Sequence, residues 1–157
     1  MPVVLVTGMS GTGKSSVLGE LGRRGHRVVD TDEGDWIDRA GPEPLWREDR
    51  IAALLDEHGK GTLFVAGCVA NQGRFYPRFD AIVLLTAPPD VLLERVATRN
   101  TNDFGKSANE RALVSDDIRE VEPLLRTGAT AEIDTRLPVA DVADRLESIA
   151  GAVTPVE

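Results

Sequence analysis

The chain has 157 residues, 41% apolar and 28% charged, with 18 Lys+Arg against 26 Asp+Glu and a net charge of −8. That mix is globular, not disordered, and the length suits one domain with enough core to need no disulfide or metal staple. The negative charge argues against broad electrostatic binding to nucleic acid or anionic membrane, and the lone Cys68 excludes an internal disulfide or multi-cysteine zinc site.

Val3 to Thr7 is a continuous apolar run, the pattern of a strand buried on both faces. Lys14 to Arg24 follows with Val17, Leu18 and Leu21 at helical spacing, and Gly25 stands where a helix stops. Arg27 to Asp30 predicts a second strand. Leu45 to His58 predicts a helix with Ile51, Leu54 and Leu55 on one face. Leu63 to Ala66 and Ala81 to Leu85 predict two more strands. Pro89 opens a helix running to about Arg99, where its missing N–H costs nothing. Asn100 to Lys106 has no period and is expected to be a loop. Ser107 and Glu110 form a capping-box pattern for the next helix, which Pro123 is expected to kink or end. Glu132 to Asp134 predicts a fifth strand, and Pro138 opens a last helix with Val139, Val142, Ala143, Leu146 and Ile149 on one face. The alternation implies an α/β fold of three layers with a parallel sheet. Aromatics are scarce, at 4%, so Val, Leu, Ile and Ala must build its core. No stretch approaches the roughly 20 apolar residues of a membrane span. Met1 to Val6 lacks the basic region of a signal peptide. A cytoplasmic, reducing setting is expected.

Gly8-Met9-Ser10-Gly11-Thr12-Gly13-Lys14-Ser15 fits G-x-x-x-x-G-K-(S/T) at every fixed position, between a predicted strand and a predicted helix. A phosphate ringed by backbone N–H groups requires a tight turn without bulky side chains, which Gly8, Gly11 and Gly13 permit. The helix beginning at Lys14 adds the partial positive charge of its N-terminus. Lys14 is placed to reach the β- and γ-phosphates of a nucleotide and Ser15 to ligate Mg²⁺. Ser10, Thr12 and Ser16 complete the expected phosphate site. Asp30 and Asp32 close the second strand, where ligand crevices of open α/β sheets form. One carboxylate there suits a metal or its water; the other suits an acceptor hydroxyl and its proton. The same pair also fits a solvated Asx turn. No acidic residue closes the third strand, which leaves Asp30 with Ser15 as the expected metal support.

These features resemble the small P-loop kinases, the group of shikimate kinase, gluconate kinase and nucleoside monophosphate kinases, over nearly the whole chain. The matching residues are the Gly8–Ser15 loop, Asp30-Thr31-Asp32, Leu45-Trp46-Arg47, the Arg95 and Arg99 segment before a short lid at about 99–107, and Glu132-Ile133-Asp134-Thr135 before a proline-opened helix. The resemblance implies a P-loop NTPase fold with a five-stranded parallel sheet, over one domain spanning 1–157, with an acceptor region at about 31–60. It implies transfer of the ATP γ-phosphoryl group, with Mg²⁺, to a hydroxyl or phosphate of a small molecule. Lys14, Arg95 and Arg99 would balance charge on the transferring group, and Asp32 would orient the acceptor. Asp134 and Thr135 would line the adenine pocket. Trp36, Arg47, Gly67, Asn71 and Arg74 are acceptor-side candidates, and the five basic groups Lys14, Arg47, Arg74, Arg95 and Arg99 are expected to converge on one cleft. Arg78 and Gln72 are further acceptor-side candidates, and Cys68 reads as a small buried residue.

Departures narrow the acceptor. Gly67-Cys68-Val69 stands where shikimate kinase has three glycines, and Glu122-Pro123-Leu124 reverses the charge of that family's acceptor arginine, so an acceptor carboxylate would be repelled. The G-F-P-R element of adenylate kinase is missing. A GTPase-like switch would require N-K-x-D, and Asn100-Thr101-Asn102-Asp103 lacks the lysine. Nucleic-acid partners are not expected at this charge, and a monomer is.

Overall fold

The computed structural model describes residues 2–9, 12–98 and 108–152, without the side chains of 96–98, 108–115 and 117. In chain order the elements are β1 (Val3–Thr7), α1 (Lys14–Arg23), β2 (Arg27–Asp30), β3 (Ile37–Asp38), β4 (Leu45–Trp46), α2 (Glu48–Glu57), β5 (Leu63–Ala66), a 3₁₀ helix (Gln72–Arg78), β6 (Ala81–Thr86), α3 (Pro89–Thr98), α4 (Ala108–Gly128), β7 (Ala131–Asp134) and α5 (Val139–Ala152). Five strands form one parallel sheet in the order β2-β5-β1-β6-β7. The remaining two, β3 and β4, make a short antiparallel ribbon.

The period of two along each strand divides the core between two faces. Val4, Val6, Phe64, Val83 and Leu85 face α1 and α5, meeting Val17, Leu18, Leu21, Val142 and Leu146. Val3, Leu5, Leu63, Val65 and Ile82 face the other way, onto Ile51, Leu54, Leu55, Trp46, Phe75 and Phe79. Leu84 joins a third cluster with Met9, Leu92, Ile118 and Leu125 beneath α3 and α4. β1 is central, with Val4 opposite Phe64 on one side and Ala81 on the other. The loop leaving β1 therefore emerges mid-sheet at the carboxyl ends of the strands, where open α/β sheets form their crevices.

Three predicted features are corrected. The helix expected from Leu45 starts at Glu48. Leu45 and Trp46 are extended because Trp46 pairs with Ile37, the Arg47 N–H donates to the Trp36 carbonyl at 2.7 Å, and the Asn71 amide grips both backbone groups of Trp46. Glu48 and Asp49 then supply negative charge to the first turn. Pro123 does not end its helix, which runs through to Gly128 with Ile118 and Leu125 buried on its inner face. The strand expected from Glu132 begins at Ala131. The expected lid, 99–107, lies outside the described residues, as do Ser107 of the capping box and the side chain of Glu110.

Candidate nucleotide and acceptor site

Gly8 has φ +152°, and a Cβ on it would fall 2.6 Å from the Leu85 carbonyl oxygen and 2.9 Å from Thr12 Oγ1. Gly13, at φ +94°, caps α1 from the left-handed region. Thr12 is fully buried; its N–H and hydroxyl both donate to the Met9 carbonyl, at 3.2 and 2.8 Å, closing the loop on itself. Lys14 lays its ammonium back over the loop, donating to the Gly8 carbonyl at 2.5 Å and the Met9 carbonyl at 3.2 Å. Ser10 and Gly11 lie outside the described residues.

The Ser15 hydroxyl donates to the Asp30 carboxylate at 2.6 Å. The other Asp30 oxygen accepts the Asp32 N–H at 3.0 Å, and the Asp30 carbonyl accepts the Glu33 N–H at 3.1 Å, so the Asx turn exists and still leaves one carboxylate oxygen on Ser15. A hydroxyl beside a carboxylate is a hard-oxygen pair suited to a hard divalent cation that keeps several waters. No group of three or more His, Cys, Asp or Glu able to hold a metal occurs among the described residues, so a cation here would need further oxygens from solvent or substrate.

A cleft of about 780 Å³ opens over this loop, lined by Thr12 to Val17, Asp32, Arg95, Thr135 to Val139 and Val142. Arg95 reaches from α3 across the cleft wall to donate to the Thr135 hydroxyl at 3.0 Å and its carbonyl at 2.8 Å. Thr135 is itself tied to the Thr86 carbonyl through its N–H at 2.8 Å and its hydroxyl at 3.1 Å. Asp134 is turned to the Arg136 guanidinium, at 2.6 Å, whose hydrogen bonds hold its carboxyl below the ordinary range. Arg136, Leu137 and Val139 line the cleft and were not among the site residues expected from the sequence; an arginine two residues past an aspartate at a strand end was the available signal.

The acceptor-side candidates gather beside this cleft in a different way from the one expected. Trp46 is 2% exposed, donates from Nε1 to the Thr31 hydroxyl at 3.0 Å and packs against Phe75 and Phe79. A Cβ on Gly67 would fall 2.6 Å from Thr31 Oγ1 and 2.9 Å from the Trp46 ring. Trp36 packs half-buried on the same cluster. Asn71 is half-buried and engaged by Trp46 and by Glu48, and Gln72 is buried, so both amides are committed to partners within the chain. Arg47 donates to Asp35 at 3.0 Å, Arg50 pairs with the second oxygen of Asp35 at 2.9 Å, Arg74 reaches Glu48 at 3.3 Å, and Arg78 pairs with Asp56 at 2.5 Å. Of the five basic groups expected to converge, the structure brings Lys14 and Arg95 to the cleft. Arg47 and Arg74 turn to carboxylates outside it, and Arg99 lies outside the described residues. Cys68 is half-buried against the cluster of Met9 and Leu84.

A family model described as an AAA domain matches residues 4–116. A putative adenylate kinase of Archaeoglobus fulgidus is 31% identical over 153 residues, covering 94% of this chain and 81% of that protein. The chain belongs to the AAA-domain, P-loop kinase family. The HPr kinase/phosphorylase of Bacillus mycoides matches this family member at 42% over 81 residues, 45% of the chain, which spans only 25% of that protein. Among solved structures, shikimate kinase from Acinetobacter baumannii in complex with shikimate superposes with a TM-score of 0.71 at 21% identity, covering 97% of this P-loop chain and 94% of the other. That likeness shows the shared fold. No helix among the described residues is long and apolar enough to cross a membrane.

Proposed function

We propose that the chain is an ATP-dependent small-molecule kinase that transfers the γ-phosphoryl group of Mg·ATP to a hydroxyl or phosphate oxygen. One observation carries the reading: the Ser15 hydroxyl, in the first turn of the helix after the phosphate loop, meets the Asp30 carboxylate at 2.6 Å, with Asp32 and Arg95 on the same cleft. Ser15 and Asp30 would hold magnesium, which would neutralise charge on the phosphate oxygens. Gly8, Ser10 to Ser16 and Thr135 would hold the donor, with Asp134 positioning the adenine-side turn through Arg136. Lys14 and Arg95, joined by Arg99, would balance the spread charge of the transferring group. For a hydroxyl acceptor, its oxygen bonds to the γ-phosphorus as the bridging P–O bond to ADP breaks, and the Asp32 carboxylate takes the proton. Trp36, Arg47, Gly67, Asn71 and Arg74 would shape the acceptor wall, several through the pairings described above. The protein would act as a monomer in the cytoplasm.

A second reading, transfer to a nucleoside monophosphate, is favoured by the putative adenylate kinase relative. Purified protein with Mg·ATP is assayed for ADP against hydroxy acids, sugars, nucleosides and nucleoside monophosphates. The proposal expects ADP and phosphorylated acceptor in equal amounts for one class, and the class chooses between the readings. Phosphate release without any phosphorylated acceptor would instead mark an ATPase. No ADP across the panel would refute all three.

A further inference from the structure

Gln72 is 2% exposed, the first residue of the 3₁₀ helix, and carries a fully committed amide. Its Oε1 accepts the Val69 N–H at 3.0 Å. Only the amide oxygen can accept, so that contact fixes which way the group points. Nε2 then faces two hydroxyl oxygens, Thr7 Oγ1 at 3.0 Å and the Tyr76 phenol at 3.0 Å.

The three partners belong to three parts of the site. Thr7 is fully buried, ends β1 and precedes Gly8, whose carbonyl holds Lys14. Val69 lies in the loop after β5, between Gly67, pressed on Thr31 and Trp46, and Asn71, which holds Trp46 and Glu48. Tyr76 lies so close to Gly128, the last residue of α4, that a Cβ there would fall 2.4 Å from its ring. One buried amide thus joins the root of the phosphate loop, the loop that holds the acceptor wall, and the end of α4. Close-packed interiors transmit displacement because they do not deform continuously.

We propose that Gln72 is a positioning residue that couples the phosphate loop to the acceptor wall, so that nucleotide bound at the first orders the second. The acceptor half of this statement rests on the kinase reading. The test is backbone hydrogen exchange of the full chain with and without saturating ADP. Wild type is expected to slow in residues 8–16 and also in 67–78. Gln72→Met, of similar volume but unable to hydrogen-bond all three partners, should keep the slowing at 8–16 and lose it at 67–78. Thr7→Val severs only the phosphate-loop arm and should give the same result, which keeps the test decisive should Gln72→Met fail to fold. Slowing confined to 8–16 in wild type, or unchanged slowing in both segments in Thr7→Val, overturns the coupling and leaves the kinase reading intact. Slowing in both segments of wild type that is lost at 67–78 in the variants supports the coupling even where no acceptor is turned over. Slowing in neither segment removes the nucleotide reading and the coupling together. With an acceptor in hand, Gln72→Met should lower kcat roughly ten- to a hundredfold, as a misplacement of about 1 Å does, with the KM for ATP near that of wild type. An unchanged kcat overturns the proposal.

Discussion

Gly67→Ala is a one-carbon test of how the acceptor wall is built. The added methyl would fall 2.6 Å from Thr31 Oγ1, 2.9 Å from Trp46 Cζ2 and 3.1 Å from Trp46 Nε1. Neither neighbour is a flexible end: Thr31 and Trp46 are both buried, and Thr31 is tied at 2.7 Å to the Ala66 carbonyl. Overpacking a site of this kind costs about 1–3 kcal/mol. Relief requires Thr31 and the indole to part, which strains or breaks the Trp46-to-Thr31 hydrogen bond and adds about 1–3 kcal/mol for a buried donor left unpaired. The expected destabilisation is about 2–6 kcal/mol. For a chain of this size that is a fall of roughly 4–24 °C in Tm. Thermal unfolding followed by circular dichroism measures it, and tryptophan emission reports whether the Trp46 environment opens. Gly41→Ala is the control, since nothing lies within 4 Å of its added carbon, and it should stay within about 0.5 kcal/mol of wild type. A Gly67→Ala protein as stable as Gly41→Ala would refute the argument that this wall is close-packed.

Three further outcomes test the donor side and the electrostatics. Lys14→Ala should take ATP binding below detection in calorimetry; wild-type affinity would remove Lys14 from the site. Asp30→Asn keeps its one acceptor oxygen for the Asp32 N–H of the Asx turn and turns an NH2 to the Ser15 hydroxyl, which accepts in place of donating, but loses the charge. It should raise the magnesium needed for half-maximal turnover roughly 10–100-fold while stability stays within about 0.5 kcal/mol, and an unchanged magnesium curve would count against the metal assignment. Glu147 is held below its ordinary value of 4.5 first by its hydrogen bond to His26 and then by Arg24. Its folded value lies under its unfolded one, so its stabilisation is present above about 4.5 and is lost as the pH falls through the folded value. Glu147→Gln should therefore be less stable than wild type at pH 7, with the difference shrinking in urea titrations as the pH falls below about 4.5; a constant difference across that range would show the effect is not ionic.

The sheet was legible because each strand is a short apolar run and each flanking helix repeats its apolar residues at helical spacing. The phosphate loop was legible because its glycines answer a backbone requirement, seen again in the φ of Gly8 and Gly13. The β3–β4 ribbon was not: two residues per strand give no period, and Leu45-Trp46 is held extended by Trp36 and Asn71, distant in the chain. Pro123 does not end its helix because its local cost is outweighed by burial of Ile118 and Leu125 on either side. Asn71 and Gln72 looked like substrate-binding amides since a sequence shows polarity but not direction; Gln72 turns inward onto backbone and hydroxyl groups, and Asn71 is taken up by the Trp46 backbone and the Glu48 carboxylate. Arg47 and Arg74 looked convergent for the same reason, and their charge is met by Asp35 and Glu48.

The strand order also sets an order of failure. Asp30 ends β2, a four-residue strand at the sheet's margin with β5 as its one neighbour in the sheet, whereas the phosphate loop leaves the strand flanked on both sides. Margins of sheets open at lower free energy than their centres. Mild denaturant or warming would thus part the aspartate from Ser15 while the glycine loop still stands. The protein would pass through a state that holds nucleotide without the means to use it, and assays of binding and of turnover would place its inactivation at different temperatures.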